Sequence, residues 1–298
     1  MNDIETENPN KDPGSGIFDF IGGFTVLMSV YANDRPELFK KAIHSVFSNT
    51  LTPDEFILVV DGPVGPELSE IIKKASLLSS RLFVVRLEKN LGLANALNAG
   101  IAHSKFEWIV RADADDVNLP ERFELLAKFH SKNLNLSLIG SWILEVDDSG
   151  NRLGVREVPI GAENIKIFAR RRNPFNHMSV AFRKKDVLAV GGYPNMYLRE
   201  DYALWCRMIN KGFACENIPN ILVLATAGVG MYSRRGGIRY AIAEYKMQKY
   251  LINLGAKSFT CGLLDFIFRG AIFLLPARVR GCIYEYILRR PVSKVGIL

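Results

Sequence analysis

Hydrophobic and polar positions along the first half of the chain are sorted into blocks. Phe24-Thr25-Val26-Leu27-Met28-Ser29-Val30 is an almost unbroken apolar run, and Phe56 to Val60, Leu82 to Arg86 and Trp108-Ile109-Val110 repeat the pattern. Short runs that are apolar on successive residues fit strands covered on both faces. Between them the period lengthens to that of a helix. Pro36 opens a segment in which Phe39, Ile43, Val46 and Phe47 share a face, Leu68 to Leu78 follows the second run, and an alanine-rich segment from Leu93 to Asn98 follows the third. This alternation predicts an α/β fold with a mostly parallel central sheet and helices on both faces.

Each apolar run ends in a polar feature: Tyr31 and Asp34, then Asp61, then Asn90 and Gly92, then Asp113 and Asp115. In a parallel sheet those ends share one edge, where open α/β sheets bind their ligands. A carboxylate there can accept a hydrogen bond from a base or ribose, and the Tyr31 ring offers a stacking face. Four such features on one edge favour a nucleotide site. The chain has no GxGxxG and no GxxxxGK[ST], so neither a dinucleotide fingerprint nor a P-loop is supported.

The densest chemistry lies in WIVRADADDVNLPERFE, from Trp108 to Glu124. Asp113, Asp115 and Asp116 repel one another unless positive charge sits among them, and an oxygen-ligated divalent cation would supply it. The plainer alternative is an acidic turn capping a helix, since Asn118 and Glu121 have capping-box spacing and Pro120 suits a first turn. A second acidic pair, Glu200-Asp201, opens a stretch in which Leu204, Trp205 and Met208 share a helical face; there too acids complement the helix dipole. His177 follows Arg170-Arg171-Arg172 and Asn173-Pro174-Phe175-Asn176, and is a candidate metal ligand or a hydrogen-bonding residue beneath the site. Asp147-Asp148-Ser149-Gly150 reads as a hairpin turn with no assigned function.

Composition narrows the class. A chain of 298 residues, 48% apolar and 23% charged, suits a globular enzyme with one large domain and an appendage. Cys206, Cys215, Cys261 and Cys282 have no CxxC spacing, which argues against zinc and a disulfide framework. Residues 1–16 are polar, carry no signal-sequence pattern and are expected to be a disordered tail. The net charge of +7 is unevenly placed: residues 228–298 hold 12 Lys and Arg against 3 Asp and Glu, leaving 26 against 28 elsewhere. A near-neutral body at 17–227 with a basic extension at 228–298 is no nucleic-acid footprint, and no nucleic-acid partner is expected. Within the extension, Ile238 to Leu254 is amphipathic, Phe259 to Phe273 is more apolar, and Arg278 to Arg290 predicts another basic helix. Its longest uncharged run, Gly270 to Ala277, is far shorter than the ~20 residues of a membrane span. These helices either lie in a membrane interface, drawn to anionic lipid, or pack on the body with their charge solvated.

Five stretches carry a resemblance: SVYANDRPELFKKAIHSVFSNT, VVDGPVG, KNLGLANALNAGI, RADADDVNLPERFE and GGYPNMYLREDYALWCRMINKGF. In that order and spacing, over about residues 24 to 225, the chain resembles the family 2 glycosyltransferases, which have the GT-A fold and move a sugar from a nucleotide diphosphate to an acceptor hydroxyl. The DGPVG variant, FARRRNPFNHMSVAFRK and the basic tail are most similar to the bacterial exopolysaccharide and O-antigen branch, the amylovoran-type galactosyltransferases. The resemblance implies that Tyr31, Asp34 and Asp61 line the nucleoside pocket, that Asn90, Gly92 and Asn95 flank the ribose and diphosphate, and that Arg111 faces the diphosphate. It makes Asp113 and Asp115 a DxD pair for manganese or magnesium, with His177 a further candidate ligand, and Asp201 the catalytic base. The implied reaction is inverting transfer of a hexose, galactose in this branch, from a UDP-sugar to an undecaprenyl-diphosphate-linked saccharide in surface polysaccharide (O-antigen, capsule or exopolysaccharide) biosynthesis. The implied location is the cytoplasmic face of the inner membrane, with peripheral contact through the C-terminal helices. The alternative is a non-catalytic nucleotide-sugar-binding module on the same fold, against which intact Asp113, Asp115 and Asp201 argue.

Overall fold

A computed structural model describes residues 20, 22–227, 236–276 and 279–280. Its first half follows the predicted alternation: β1 (Phe24–Val30), α1 (Pro36–Phe47), β2 (Glu55–Val60), α2 (Pro66–Leu78), β3 (Leu82–Arg86), α3 (Leu93–His103) and β4 (Trp108–Ala112). These strands lie side by side in the order β3-β2-β1-β4, all parallel. Continuous burial of β2 and near-continuous burial of β1 explain why neither alternates in polarity. Helix α3 approaches β1 closely because residue 100 is glycine; a Cβ there would fall 2.2 Å from a Leu27 methyl.

Beyond β4 the pattern changes. The chain continues through β5 (Val117–Asn118), α4 (Arg122–Lys132), β6 (Leu138–Val146), β7 (Arg152–Arg156), α5 (Ala162–Ala169), a 3₁₀ turn at His177–Ser179, β8 (Ala181–Arg183), α6 (Lys184–Ala189), α7 (Glu200–Asn210) and β9 (Cys215–Thr226). The nine-stranded sheet runs β3-β2-β1-β4-β8-β6-β9-β5, with β7 beside β6. The β4–β8, β8–β6, β6–β7 and β9–β5 pairs are antiparallel and β6–β9 is parallel, so the sheet is mixed across its full width. Two reversals, at β8 and again at β6, restore the direction of β4. Strand β9 therefore ends on the same edge as β1, β2 and β4.

The capping role expected of Asn118 is not what the structure gives it. Asn118 lies in β5, donates from its backbone and its amide to Ser45 Oγ at 3.0 and 2.8 Å, and bonds the Arg122 guanidinium. Helix α4 starts at Arg122, and the free N–H of Phe123 is met by Asn49 Oδ1 at 3.0 Å, from just past the end of α1. A cap from a distant element replaces the local one.

One face of the sheet packs on α1, α2 and α4 through Phe39, Ile72 and Phe123; the other packs on α3 and α7 through Leu97, Leu204 and Trp205. The C-terminal helices α8 (Ile238–Asn253) and α9 (Phe259–Leu274) form a hairpin, and Met247 and Leu251 of α8 bury against Tyr202, Ala203 and Cys206 of α7. Under that contact lies a buried polar network: Glu244 accepts from Arg199 at 3.1 Å, from Arg269 at 3.3 Å and from Gln248 at 2.7 Å, while Lys257 joins Gln248 and Asp265. The extension is thus packed on the body along one face. Its other face is apolar and open, with Leu264 66% and Phe268 67% exposed. Among the described residues no helix is long and apolar enough to cross a membrane. The tail at 1–16 and, apart from 279–280, the helix expected from Arg278 to Arg290 lie outside the described residues.

Candidate active site

The edge formed by the carboxyl ends of β1, β2, β4 and β9 gathers most of the residues singled out in the sequence. Asp34 accepts the Tyr31 N–H at 2.9 Å, folding the loop after β1 back on itself and leaving the Tyr31 ring exposed. Asp61 accepts from the N–H groups of Leu91 and Gly92 at 2.7 and 3.0 Å, so it ties the end of β2 to the loop that starts α3. Gly92 holds a positive φ of 83° as that helix begins, and the Asn95 amide closes the turn on the Leu91 carbonyl at 2.7 Å. Asn90 is exposed beside it, its backbone packed so closely on Gly62 that a Cβ there would lie 2.5 Å from the Asn90 nitrogen.

Arg111 and the acids after it form the centre. The Arg111 side chain is 1% exposed and pairs with Asp113; its Nε has no hydrogen-bond partner among the described residues. Carboxylate oxygens of Asp113, Asp115 and Asp116 all lie within 4.8 Å of one another. Asp116 accepts the Thr226 N–H at 2.8 Å and the Asp115 carbonyl accepts the Thr226 hydroxyl at 2.6 Å, which fastens the acidic turn to the end of β9. Burial, with repulsion from Asp113 and Asp34, pushes the Asp115 carboxyl up to about 7. Burial pushes Asp34 up to about 6, and raises Asp116 well above the carboxylate range. Three crowded carboxylates held at that cost are a hard, oxygen-only donor set, and they fit a divalent cation of the magnesium or manganese kind.

Across from this cluster, α7 presents Glu200 and Asp201. Asp201 accepts the Tyr202 N–H at 2.7 Å and the Asn173 amide at 2.6 Å; burial raises its carboxyl against those two bonds, and burial likewise raises Glu200. Leu198, three residues before Asp201, has a φ of 63° and is the only non-glycine with positive φ among the described residues, a conformation a branched side chain rarely takes. Arg199, next in the chain, is tied back to α8 through Glu244.

His177 takes the second of the two roles open to it. It stands apart from the trio of acids, and its Nε2 meets the Tyr193 hydroxyl at 3.0 Å within a ring cluster that includes Trp205. Burial, with the nearby Arg111 charge, drives its pKa well below the ordinary value, so the ring is a neutral hydrogen-bonding wall. His177 is thus not among the carboxylates of Asp113, Asp115 and Asp116 whose oxygens gather within 4.8 Å of one another.

Three residues escape a reading by motif. Asn173 steers Asp201; Tyr193 links His177 to the acids of α7; and Asn98 brackets Tyr193 by bonding its N–H and its carbonyl, both at 2.8 Å. The signals were present in Asn173-Pro174 and in the unexpected second Asn of Ala94-Asn95-Ala96-Leu97-Asn98, but an Asn before Pro, or on a helix, reads first as a turn or a solvated residue. The hairpin turn behaves as expected: Asp147 accepts the N–H groups of Ser149 and Asn151, and Asp148 pairs with Arg35 at 2.7 Å.

Residues 25–202 match the model of glycosyl transferase family 2. The chain is 38% identical over 269 residues to an Escherichia coli UDP-Gal:alpha-D-GlcNAc-diphosphoundecaprenol beta-1,3-galactosyltransferase, covering 90% of this chain and 97% of that one. It is 37% identical to the amylovoran biosynthesis glycosyltransferase AmsE of Erwinia amylovora over 88% of its length and 98% of the relative's. Among solved structures, TarS residues 1–349 of S. aureus in complex with UDP-GlcNAc superposes with a TM-score of 0.62 at 15% identity, covering 90% of this chain and 76% of that one.

Proposed function

The chain belongs to glycosyl transferase family 2, and on that premise we propose that it moves galactose from UDP-galactose to the sugar of a lipid-diphosphate-linked acceptor in bacterial surface polysaccharide biosynthesis. It has the GT-A fold and is a glycosyltransferase. The observation that carries the finer reading is the presence of a hard carboxylate cluster at the sheet edge together with a separate half-buried carboxylate at the start of α7.

Asp113 and Asp115 would hold a divalent cation, with Asp116 adjoining; the chemistry it supplies is neutralisation of a diphosphate leaving group. Arg111, pre-set by its pairing with Asp113 and with its Nε unpartnered among the described residues, adds positive charge toward the same end. Tyr31 stacks on the base, while Asp34, Asp61, Asn90, Gly92 and Asn95 shape the nucleoside and ribose end; the two oxygens of Asp61 act chiefly by fixing the Leu91–Gly92 backbone. Asp201 takes the proton from the acceptor hydroxyl. Its raised pKa makes it a better base than an exposed Asp, and the Asn173 amide and the Tyr202 N–H each hold one of its oxygens and so fix the carboxylate. One base and one leaving group suffice for a single displacement, which inverts the anomeric centre.

The body at 17–227 performs this reaction. Within the extension at 228–298, α8 rests on α7, and α8 and α9 turn Ile238, Ile242, Leu264 and Phe268 outward, a face suited to a membrane interface on the side where a lipid-linked acceptor waits. The test is a product assay with UDP-galactose, manganese and a synthetic N-acetylglucosaminyl diphosphoryl lipid. A galactosylated lipid is expected; a protein that releases no UDP and forms no product with any UDP-sugar would sink the reading.

A further inference from the structure

A lipid-linked acceptor carries its own diphosphate on the far side of the sugar that Asp201 deprotonates. A cleft of about 480 Å³ opens between the loop that leads into Glu200-Asp201 and helix α8. Asn195 and Tyr197 stand on the loop side, and Lys246, Lys249 and Asn253 line the helix side. Positions 246, 249 and 253 recur at helical spacing, so they share one face of α8. The cleft continues into a smaller hollow of about 340 Å³ lined by Tyr197, Arg239 and Ile242, with Tyr197 common to both. Burial first, then Asp34 and Asp115, raise the Tyr31 pKa, and Tyr197 is close enough to add to that, so the side chain shared by both hollows neighbours the donor-edge Tyr31.

The charges in this cleft differ from the others on the hairpin. Lys257 is matched by Asp265, and Arg269 by Glu244. Among the described residues no carboxylate pairs with Lys246, Lys249 or Arg239. The two lysines repel one another across a single helical turn, and an anion between them removes that repulsion. On the N-terminal turns of the same helix Ile238 and Ile242 are exposed. Beside the loop that leads to Asp201, the two hollows thus set unpaired cations next to exposed apolar side chains, the kinds of group that suit a diphosphate and its lipid.

We propose that this cleft receives the diphosphate of the lipid-linked acceptor, with Lys246 and Lys249 as its cationic contacts and Asn195 and Asn253 as neutral donors. The inference rests on the galactosyl-transfer reading for the nature of the acceptor, but it can fail separately. Lysine ammonium groups suit the task as mobile point charges that can follow a flexible diphosphate.

The experiment measures binding of a short alkyl diphosphate to the full chain in EDTA, which keeps cations off the carboxylate cluster. Wild type is expected to bind, Lys246→Ala/Lys249→Ala to lose at least ~10-fold in affinity, and Asp115→Ala to keep it. Retained binding of UDP with manganese by the double variant checks that it is folded. Equal alkyl diphosphate affinity in wild type and the double variant, or none in wild type, would overturn the proposal. So would inorganic pyrophosphate binding as tightly, which marks an unselective anion site, or a double variant that loses only phosphatidylglycerol vesicles, which assigns the lysines to bilayer headgroups. Lysine-dependent binding without galactosyl transfer would leave the cleft standing and sink the transfer reading. Transfer with an unchanged acceptor KM in the double variant would do the reverse.

Discussion

At the donor edge the carboxylates are fixed by backbone N–H groups: Asp34 by Tyr31, Asp61 by Leu91 and Gly92, and Asp116 by Thr226 at the end of β9. On the acceptor side the holding groups are side chains of other elements. Asn173 holds Asp201 across 28 residues, Glu244 holds Arg199 across 45, and Asn98 holds Tyr193 across 95. The two halves of one site therefore depend on different things. The donor edge is set by the backbone of the sheet and its loops, whereas the setting of Asp201 depends on how the side chains around α3, α7 and α8 dock.

The sharpest way to break this division is to remove one acid from each half. Asp201→Asn is expected to lower kcat by ~10²–10⁴-fold, the range of a general base, with manganese-dependent UDP binding intact. Asp115→Ala is expected to abolish that metal-dependent UDP binding. Calorimetry with UDP, alongside turnover, separates the two; equal loss of UDP binding in both variants would erase the distinction. Next in size is Glu244→Gln, which leaves Arg199 and Arg269 short of their counter-charge. Breaking a buried pair costs about 3–5 kcal/mol, and the partial exposure of both arginines points to the lower end. Thermal unfolding should reveal that loss, and kcat should fall while donor KM holds; a rise in donor KM would mean the extension also shapes the donor edge.

The acidic cluster makes a pH prediction whose sign follows from its raised pKa values. Asp115 and Asp34 move from 3.8 to about 7 and about 6, so between those limits the folded state binds more protons than the unfolded one. Stability of the metal-free protein should be highest below about pH 4 on this account and decline as pH rises to about 7; added manganese should flatten the decline, and Glu200 and Asp201 should feel no such rescue. Melting temperature against pH, with and without metal, checks it. The smallest effect is Asn49→Ala, which strips α4 of its cap: about 1 kcal/mol, or about 2–4 °C in Tm, with both substrate KM values unmoved.

Much of this arrangement is legible before any folding is considered. The four apolar runs name the parallel strands to within a residue or two, and the polar residues that end them name the donor edge, because strand period and burial are local properties of the chain. The same rules misjudged Asn118, since a capping box is scored by spacing while the actual cap, Asn49, is supplied by another helix. They left His177 between two roles, since a histidine's task depends on whether burial has already taken its proton and a tyrosine its nitrogen.

The chain by itself thus determined the class of fold, the carboxylate trio and the acid at the head of α7, each written in residues that are near neighbours in sequence. Only the tertiary structure decided which asparagine steers Asp201, that Glu244 anchors the loop before it, and that Lys246 and Lys249 face a cleft at its mouth. Periodicity specifies which face of an element is buried, but a hydrogen bond between side chains tens of residues apart depends on how the elements are spaced and angled, and no local pattern encodes that.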